Sequence, residues 1–294
     1  MQHHSLLLHH LLLTLLSPTH ASPKSGLIHI PSSAHPSDDT IWLTGPSPPS
    51  WYYNYHATPS ASYIGHSALH FVPMLWGAPE TPGSFYASIA AQIHAGANIT
   101  HVLAFNEPDG AFAEGGAQMS PRVAAASWKS DVEPLRKLGV RVGSPAVTGS
   151  ERGWAWMEDW WVACAGGCRP DFVAVHWYGG FEGLMGRLGR VVARWEGREV
   201  WVTEWGWEGR GWEETRDFYG RSVRGMEGWA NITRHAYFGA FRSDVSNIGP
   251  YAAMLTQDGE LTDIGSWFLG GEATGNVPRV ASSGTESCYM LVFR

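Results

Sequence analysis

The stretch LAFNEPDG, residues 103–110, ends an apolar run with an amide, a carboxylate and a proline. A second stretch, VWVTEWGW at residues 200–207, places another carboxylate, Glu204, in a similar frame. A short apolar run that leads directly into polar residues is typical of a buried strand that ends at a polar edge. The sequence therefore predicts that Glu107 and Glu204 end two strands of one sheet.

Strand-like runs alternate with longer amphipathic segments along most of the chain, which predicts a parallel sheet covered by helices. The eight candidate strands are SGLIHI (25–30), SWYYNY (50–55), LHFVPML (69–75), ITHVLAF (99–105), VRVGSPA (140–146), DFVAVHW (171–177), REVWVTE (198–204) and ITRHAYF (232–238). The candidate helices are SFYASIAAQIHAG, PRVAAASWKSDVEPLRKLG, GLMGRLGRVVARW, TRDFYGRSVRGMEGW and LTDIGSWFLG. This pattern predicts an α/β fold, a (β/α)8 TIM barrel, and a length of 294 residues suits one such domain.

The active site of such a barrel lies at the carboxyl ends of its strands. Glu107 and Glu204 end the fourth and seventh predicted strands, whereas Asp171 and Glu199 begin strands and fall at the opposite, stabilising face. Two convergent carboxylates suit cleavage of a glycosidic bond. One must be protonated to donate to the leaving oxygen, and the other must be ionised to attack or stabilise the anomeric carbon.

Further side chains are predicted to line the same mouth. His176 and Tyr178 end the sixth strand with a spacing of two, which places both on one face. Aromatic rings there would suit a sugar, because the C–H face of a pyranose packs on an indole ring. Packing within the scaffold is the alternative for each tryptophan, and hydrogen-bonded support is the alternative for His176. The other candidates for sugar contacts are Trp51, Asn54, Trp76 and Trp205.

The charge of the chain argues against a polyanionic partner. The formal net charge is −7, the pI is about 6.0, and no run of Lys or Arg is present. Nucleic acids and anionic membranes require clustered positive charge, so neither is expected as a partner. No metal or cofactor is predicted, because the histidines of the first twenty residues share no ligand spacing with Cys or acidic residues.

The first residues, MQHHSLLLHHLLLTLLSPTHAS, predict a secretory signal peptide over residues 1–21. Its leucine-rich run is far shorter than the ~20 apolar residues of a membrane span. The protein is therefore expected to be secreted and to be extracellular or in the cell wall. It is also expected to be a monomer. Two acceptor sequons, at Asn98 and Asn231, agree with secretion and predict glycosylation.

The cysteines and the C-terminus complete the expected organisation. Cys164 and Cys168, in CAGGC, are close enough in sequence to bridge a short loop in an oxidising compartment, and a metal site would need two more soft ligands nearby. A local disulfide is predicted. Residues 22–270 are expected to form the catalytic domain, and residues 271–294 a disordered tail.

A set of motifs along the chain resembles glycoside hydrolase family 128, a group of (β/α) barrels among the retaining glycosidases. The motifs are YYN (52–54), VPMLWG (72–77), FNEPD (105–109), HWYG (176–179) and TEW (203–205). The resemblance implies hydrolysis of β-1,3-glucan, in polymer or oligosaccharide form, with Glu107 as acid/base and Glu204 as nucleophile. It also implies that Asn106 hydrogen-bonds the sugar 2-hydroxyl.

The chain departs from this family pattern at two aromatic positions. Tyr55 and Tyr237 stand where family members often carry Trp, so both are expected to offer an aromatic surface of altered width and an added hydroxyl. Three alternatives remain: a non-catalytic β-glucan-binding protein, a barrel that recognises a protein partner, and a hydrolase of β-1,4-glucan or mannan. Retention of both glutamates favours the enzyme.

Overall fold

The computed structural model of the chain describes residues 24–279, and their strands form one parallel sheet. Its nine strands lie in the order β3-β2-β1-β9-β8-β7-β6-β5-β4. Their bounds are β1 Ser25–Ile28, β2 Trp51–Tyr53, β3 His70–Phe71, β4 Met74–Leu75, β5 His101–Asn106, β6 Arg141–Ala146, β7 Phe172–Tyr178, β8 Glu199–Gly206 and β9 Ile232–Tyr237.

The sheet closes into a ring because β3 and β4 are two halves of one predicted strand. β3 pairs with β2 and β4 with β5, and only Val72 and Pro73 lie between the halves. These two residues continue both ladders: Val72 N–H donates to the Tyr52 carbonyl at 2.8 Å, and the Pro73 carbonyl accepts from Leu103 N–H at 2.8 Å. The predicted (β/α)8 barrel is confirmed, with a third strand interrupted where proline supplies no donor.

Side chains divide into two cores because successive strand residues point to opposite faces. One core fills the barrel, where Trp51 and Phe172 both pack against Trp201. The rings of Phe172 and Trp201 are stacked, with 3.9 Å between their centroids. The larger core lies between the barrel and its helices. Alternation along β8 shows the division: Trp201 fills the barrel, while Val200 and Val202 belong to the outer core.

Six α-helices cover the barrel among the described residues: α1 Ser84–His94, α2 Pro121–Ser127, α3 Glu151–Cys164, α4 Phe181–Arg194, α5 Trp212–Glu227 and α6 Asp263–Phe268. The helix predicted over residues 121–139 continues beyond α2 only as a π turn, Trp128–Val132, and a 3-10 turn, Glu133–Leu138. Pro134 lacks the N–H that a continuous α-helix would need there. The helix α3 was absent from the sequence prediction.

The amino-terminal face of the barrel carries structural ion pairs. Asp171 pairs with Arg136 at 2.6 Å, and Glu199 pairs with Arg141 at 2.9 Å, as expected of acids that begin strands. Both sequons also lie at strand starts, because Asn98 precedes β5 and Asn231 precedes β9.

The expected disordered tail does not begin at residue 271. Residues 271–279 have no regular structure, but hydrogen bonds fasten them: Gly275 N–H donates to Asp263 at 2.8 Å, and Asn276 Nδ2 donates to the Leu261 carbonyl at 2.9 Å. The predicted signal peptide, residues 280–294 and Cys288 lie outside the described residues. A disulfide joins Cys164, the last residue of α3, to Cys168 in the loop that follows. Across residues 24–279, no helix combines the length and apolar character needed to cross a bilayer.

Candidate active site

The two predicted catalytic glutamates meet at the carboxyl ends of the strands. Glu107 directly follows β5, and Glu204 lies near the end of β8. Single ligand atoms of Glu107, His176 and Glu204 all lie within 4.8 Å of one another. His176, at the end of β7 in register with Glu204, faces both acids, with Nδ1 at 3.2 Å from Glu107 Oε1 and 3.4 Å from Glu204 Oε2.

The environments of the two carboxylates differ. The Glu204 side chain is 6 % exposed and the Glu107 side chain 17 %. Two tyrosine hydroxyls donate to Glu204, Tyr55 at 2.8 Å to Oε1 and Tyr178 at 2.9 Å to Oε2. The Tyr53 hydroxyl lies 3.3 Å from Oε1 but makes its shorter hydrogen bond, at 2.9 Å, to the Thr203 carbonyl. Because donors stabilise an ionised carboxylate, this arrangement favours negative charge on Glu204.

Burial and charge act in opposite directions within this cluster. Burial raises the pKa of Glu204; the charge of His176 opposes this, the charge of Glu107 adds to it, and the tyrosine hydrogen bonds oppose it. Burial lowers the pKa of His176, but the charges of Glu204 and Glu107 outweigh burial and raise it. Burial, followed by the charge of Glu204, raises the pKa of Tyr53, Tyr55 and Tyr178, so these phenols stay protonated donors.

The loop after β5 folds back tightly on Glu107. Glu107 has φ 40°, a left-handed conformation unusual outside glycine, and its carbonyl accepts from Gly110 N–H at 2.8 Å. A Cβ at Gly116 would lie 2.7 Å from the Glu107 carbonyl oxygen, so this close approach requires glycine. Asn106 Nδ2 donates to the Gly115 carbonyl at 3.0 Å. The acid is therefore held by a strained, closely packed turn.

Asp109, two residues after Glu107, ties this turn to the next loop. Its side chain is buried and accepts from Thr148 N–H at 2.8 Å and Thr148 Oγ1 at 2.6 Å. Thr148 lies between β6 and α3, so one carboxylate joins the loops of two neighbouring strands.

Four of the residues predicted as sugar contacts are buried and held by the scaffold. Trp51 begins β2, fills the amino-terminal part of the barrel and donates Nε1–H to the Lys24 carbonyl at 3.1 Å. Trp205 and Tyr237 are fully buried in the outer core beside Tyr219 of α5. The alternation that points Glu204 into the barrel points Trp205 outward. Asn54 is buried and braces its own loop through the Thr58 carbonyl and Ser60.

Two side chains beside Glu204 were missed as its neighbours. Tyr53 was not singled out, and Tyr55 was expected to offer an aromatic surface and a hydroxyl, without a contact to Glu204. The available signal was the alternation in WYYNY, because residues 51, 53 and 55 share one face of β2 and its extension, as the barrel core shows. Trp76, by contrast, is half-buried at the end of β4, beside the loop that follows Glu107.

The same three atoms that form the catalytic cluster could surround a cation, since two carboxylates and one imidazole are common metal ligands. Both oxygens of Glu204 already accept phenolic hydrogens, and His176 Nδ1 faces both acids. A cation would have to displace these protons. The geometry fits hydrogen-bonded acids better than a metal centre.

Comparison with known proteins agrees with this geometry. The family model described as "Glycosyl hydrolase catalytic core" matches residues 26–268. A crystal structure of a curdlan-specific exo-β-1,3-glucanase of glycoside hydrolase family 128, subgroup III, from Blastomyces gilchristii, in complex with glucose, is 32 % identical, with a TM-score of 0.66 over 84 % of this chain and 99 % of that chain. A subgroup I endo-β-1,3-glucanase from Amycolatopsis mediterranei, solved as a mutant with laminarihexaose, is 27 % identical, with a TM-score of 0.64 over 85 % of this chain and 100 % of that chain.

A curated relative is longer than this chain. The protein named Alkali-sensitive linkage protein 1, from Schizosaccharomyces pombe (strain 972 / ATCC 24843), is 26 % identical over 257 residues. The match covers 84 % of this chain but 44 % of the relative, so this chain spans less than half of that protein.

Proposed function

The chain belongs to the glycosyl hydrolase catalytic core family and is an O-glycosyl hydrolase, and from this premise we propose that it cleaves β-1,3-glucan with retention of anomeric configuration. The substrate class is proposed from the two glucanases named above, one bound to glucose and one to laminarihexaose. It also agrees with a mouth whose aromatic and hydroxyl groups suit a neutral sugar.

The observation that carries the mechanism is the short gap between the two acids. Oxygens of Glu107 and Glu204 lie within 4.8 Å of each other. Retaining glycosidases hold their carboxyl groups about 5–5.5 Å apart, whereas inverting enzymes need about 6.5–9.5 Å to admit a water molecule between acid and base. The gap supports direct attack by one carboxylate and a covalent glycosyl-enzyme intermediate.

The unequal environments assign the roles. Glu204 accepts hydrogen bonds from the hydroxyls of Tyr55 and Tyr178, which orient it and favour its ionised form against the effect of burial, so we assign it as the nucleophile. Glu107 is the more exposed acid, and its carboxylate is hydrogen-bonded to the His176 side chain. It can therefore protonate the leaving oxygen and later deprotonate an entering water. His176 fixes the relative position of both acids.

Neighbouring residues complete the proposed cleavage site. Asn106 is buried, and its Oδ1 has no hydrogen-bond partner among the described residues, while its Nδ2 is held by the Gly115 carbonyl. A buried acceptor of this kind suits a sugar 2-hydroxyl, an interaction that strengthens in the transition state. Trp76 supplies an aromatic face beside this site. Tyr178 donates a hydrogen bond to the proposed nucleophile, Glu204.

The first test measures reducing ends released from linear β-1,3-glucan, with cellulose and mannan in parallel. Release from β-1,3-glucan alone is expected. Proton NMR of the first-formed sugar should show the β anomer, and an α anomer appearing first would remove the nucleophile role of Glu204.

Substitution separates the two acids. Glu204→Ala should abolish hydrolysis and be partly rescued by azide with inversion, because azide occupies the face that the nucleophile vacates. Glu107→Ala should keep turnover of substrates with activated leaving groups, which need no proton, and azide should then give the retained product. Identical behaviour of the two variants would contradict the assignment.

Secretion and glycosylation belong to the same proposal. The leader over residues 1–21 directs the protein to the cell exterior or wall, where its substrate is found as a polysaccharide, and Asn98 and Asn231 carry glycans. Sequencing the amino terminus of secreted protein should find a start near residue 22, and gel filtration should give a monomer.

A further inference from the structure

A chain of hydrogen bonds joins the loops that follow β1 and β2. His29 directly follows β1 and is 2 % exposed. Its Nε2 lies 2.9 Å from Asp39 Oδ1, and its Nδ1 lies 2.6 Å from Ser60 Oγ. Asn54, directly after β2, donates from Nδ2 to the same Ser60 oxygen at 2.9 Å. These four residues form a relay of hydrogen bonds that has no part in the proposed mechanism.

The protons of this relay have one consistent direction. Burial raises the pKa of the Asp39 carboxyl, hydrogen bonds from His29 and Ser62 lower it, and the net effect is a lowered pKa. Ionised Asp39 therefore accepts from His29 Nε2–H, which leaves Nδ1 to accept from the Ser60 hydroxyl. The Ser60 oxygen in turn accepts from Asn54. Every donor of the relay thus meets an acceptor.

Neighbouring tyrosines enclose the relay. The Tyr63 ring lies 4.6 Å from the His29 ring between centroids, and the Tyr63 hydroxyl donates to the Asp39 carbonyl at 3.0 Å. Ser60 N–H donates to the Tyr52 hydroxyl at 3.1 Å. A buried polar network whose members are all hydrogen-bonded is rigid, so the relay fixes the loop after β2 against the loop after β1.

Asn54 connects the relay to Tyr55, the next residue along the chain. Asn54 Oδ1 accepts from His56 N–H at 3.2 Å, and Nδ2 also donates to the Thr58 carbonyl at 3.1 Å, so the amide holds the backbone on both sides of Tyr55. Tyr55 has φ 64°, a left-handed conformation that a bulky residue keeps only where its surroundings hold it. In this conformation its hydroxyl donates to Glu204 at 2.8 Å.

We propose that Asp39, His29 and Ser60 are positioning residues, which act through Asn54 to keep the Tyr55 hydroxyl on Glu204. The proposal rests on the proposed function for the role of Glu204 as nucleophile. Because the relay reaches Glu204 through Tyr55, its effect on Glu204 should disappear in a protein that lacks the Tyr55 hydroxyl. The other groups that face Glu204 are Glu107 after β5, His176 and Tyr178 on β7, and Tyr53 on β2.

The first test measures kcat/KM against pH for variants of the relay. Ser60→Ala should move the acid limb to higher pH by up to about one unit, the size that one neutral hydrogen bond can produce, because a loosened Tyr55 stabilises ionised Glu204 less. Ser60→Thr keeps a hydroxyl and should restore the limb. His29→Phe, which removes both ring hydrogen bonds at similar volume, should move the limb in the same direction as Ser60→Ala.

Ser62→Ala is the matched control. The Ser62 hydroxyl donates to Asp39 Oδ2 at 2.5 Å, so the variant removes a hydroxyl from the same carboxylate without breaking the path to Tyr55. Its acid limb should stay in place. Ser60→Ala added to Tyr55→Phe should give no shift beyond that of Tyr55→Phe alone, because both changes act on one hydrogen bond.

A titration that needs no catalysis separates this proposal from the proposed function. Carbon-13 NMR of labelled glutamate carboxyls, with the Glu204 signal assigned by its absence from Glu204→Gln, should show a higher pKa of Glu204 in Ser60→Ala than in wild type or Ser62→Ala. An unmoved pKa, an equal rise in Ser62→Ala, or a further rise on top of Tyr55→Phe would overturn the relay and leave the catalytic pair intact. Inactivity of wild type on every β-1,3-glucan would overturn the proposed function, and the titration would still decide on the relay.

Discussion

Glu204 combines burial with two hydroxyl donors, and the balance between them sets its ionisation. Burial raises its pKa, and the hydrogen bonds from Tyr55 and Tyr178 work against that rise. Tyr55 makes the shorter of the two hydrogen bonds, at 2.8 Å. The two donors therefore extend towards acid the pH range over which this carboxylate is ionised.

Tyr55→Phe should therefore move the acid limb of kcat/KM to higher pH. Loss of one donor removes stabilisation of the carboxylate, so the pKa of Glu204 rises further and activity disappears at a higher pH as the solution is acidified. The expected shift is about one to two pH units, since a hydrogen bond to a charged group contributes about 1.5–3 kcal/mol. Tyr237→Phe, buried outside the barrel, is the control and should leave the limb in place. An unchanged limb in Tyr55→Phe would show that the hydroxyl does not act on Glu204.

At the scale of elements, the loops after β5 and β6 act as one unit because Asp109 joins them. Asp109→Ala leaves the part-buried Thr148 N–H without its acceptor, which should cost about 1 kcal/mol of unfolding free energy. kcat should fall more than KM rises, because the turn that carries Glu107 loosens while sugar contacts remain. Arg152→Ala, which removes the exposed partner at 3.4 Å, should change little. Equal unfolding midpoints for wild type and Asp109→Ala would contradict this coupling.

The strands could be predicted from sequence because their apolar runs are short and end at Gly, Pro or acidic residues. All eight predicted strands are present, and the third is split only because Pro73 lies inside it. α3 was missed because its tryptophans give it the composition of a strand, whereas burial of Trp156 and Trp160, four residues apart, stabilises a helix.

The proximity of Glu107 and Glu204 could likewise be predicted, but the direction of the neighbouring aromatic side chains could not. Glu107 and Glu204 depend only on strand order and strand ends. The positions of the Trp205 and Tyr237 rings depend on which face of the strand each side chain points to. A residue next to Glu204 in sequence, such as Trp205, points to the opposite face. Alternation in WYYNY places Tyr53 and Tyr55 on the face that points into the barrel, but their contact with Glu204 joins distant parts of the chain, which the pattern alone does not reveal.

At the scale of the molecule, acids at the two ends of the barrel should respond to pH in opposite ways. Burial raises the pKa of Glu204 in the folded protein, so ionisation of this side chain destabilises the fold. The stability that is present while Glu204 is protonated is therefore lost as the pH rises through its pKa in the folded state. Burial raises the pKa of Glu199, but hydrogen bonds from Arg141 and Thr233 outweigh it and lower the pKa, so its stability is present at neutral pH and lost on acidification.

Glu204→Gln should therefore raise the unfolding temperature by a few degrees near pH 8, and the gain should shrink as pH falls. Glu199→Gln should lower the unfolding temperature at the same pH, with a loss that shrinks on acidification. Thermal unfolding of both variants and wild type across pH provides the comparison. The same sign of effect at pH 8 for both would contradict the opposite roles of the two faces.

Glycans at Asn98 and Asn231 would lie at the amino-terminal face, away from the catalytic cluster. Enzymatic deglycosylation of the folded protein should therefore leave KM for β-1,3-glucan unchanged. A severalfold change in KM would mean that one of these chains reaches the mouth. Mass spectrometry before and after treatment confirms that the glycans were present and removed.

The pairing of β1 with β9 has a consequence for biosynthesis. Leu27 lies opposite Tyr237, so the ring closes only after the chain has been translated through its last strand. Until then the emerging protein carries two open strand edges, on β1 and on β8, and each is a template for pairing with another nascent chain. Ribosome-bound intermediates that stop before residue 232 should consequently depend on chaperones, and release of the final strand, rather than growth of the core, completes the fold.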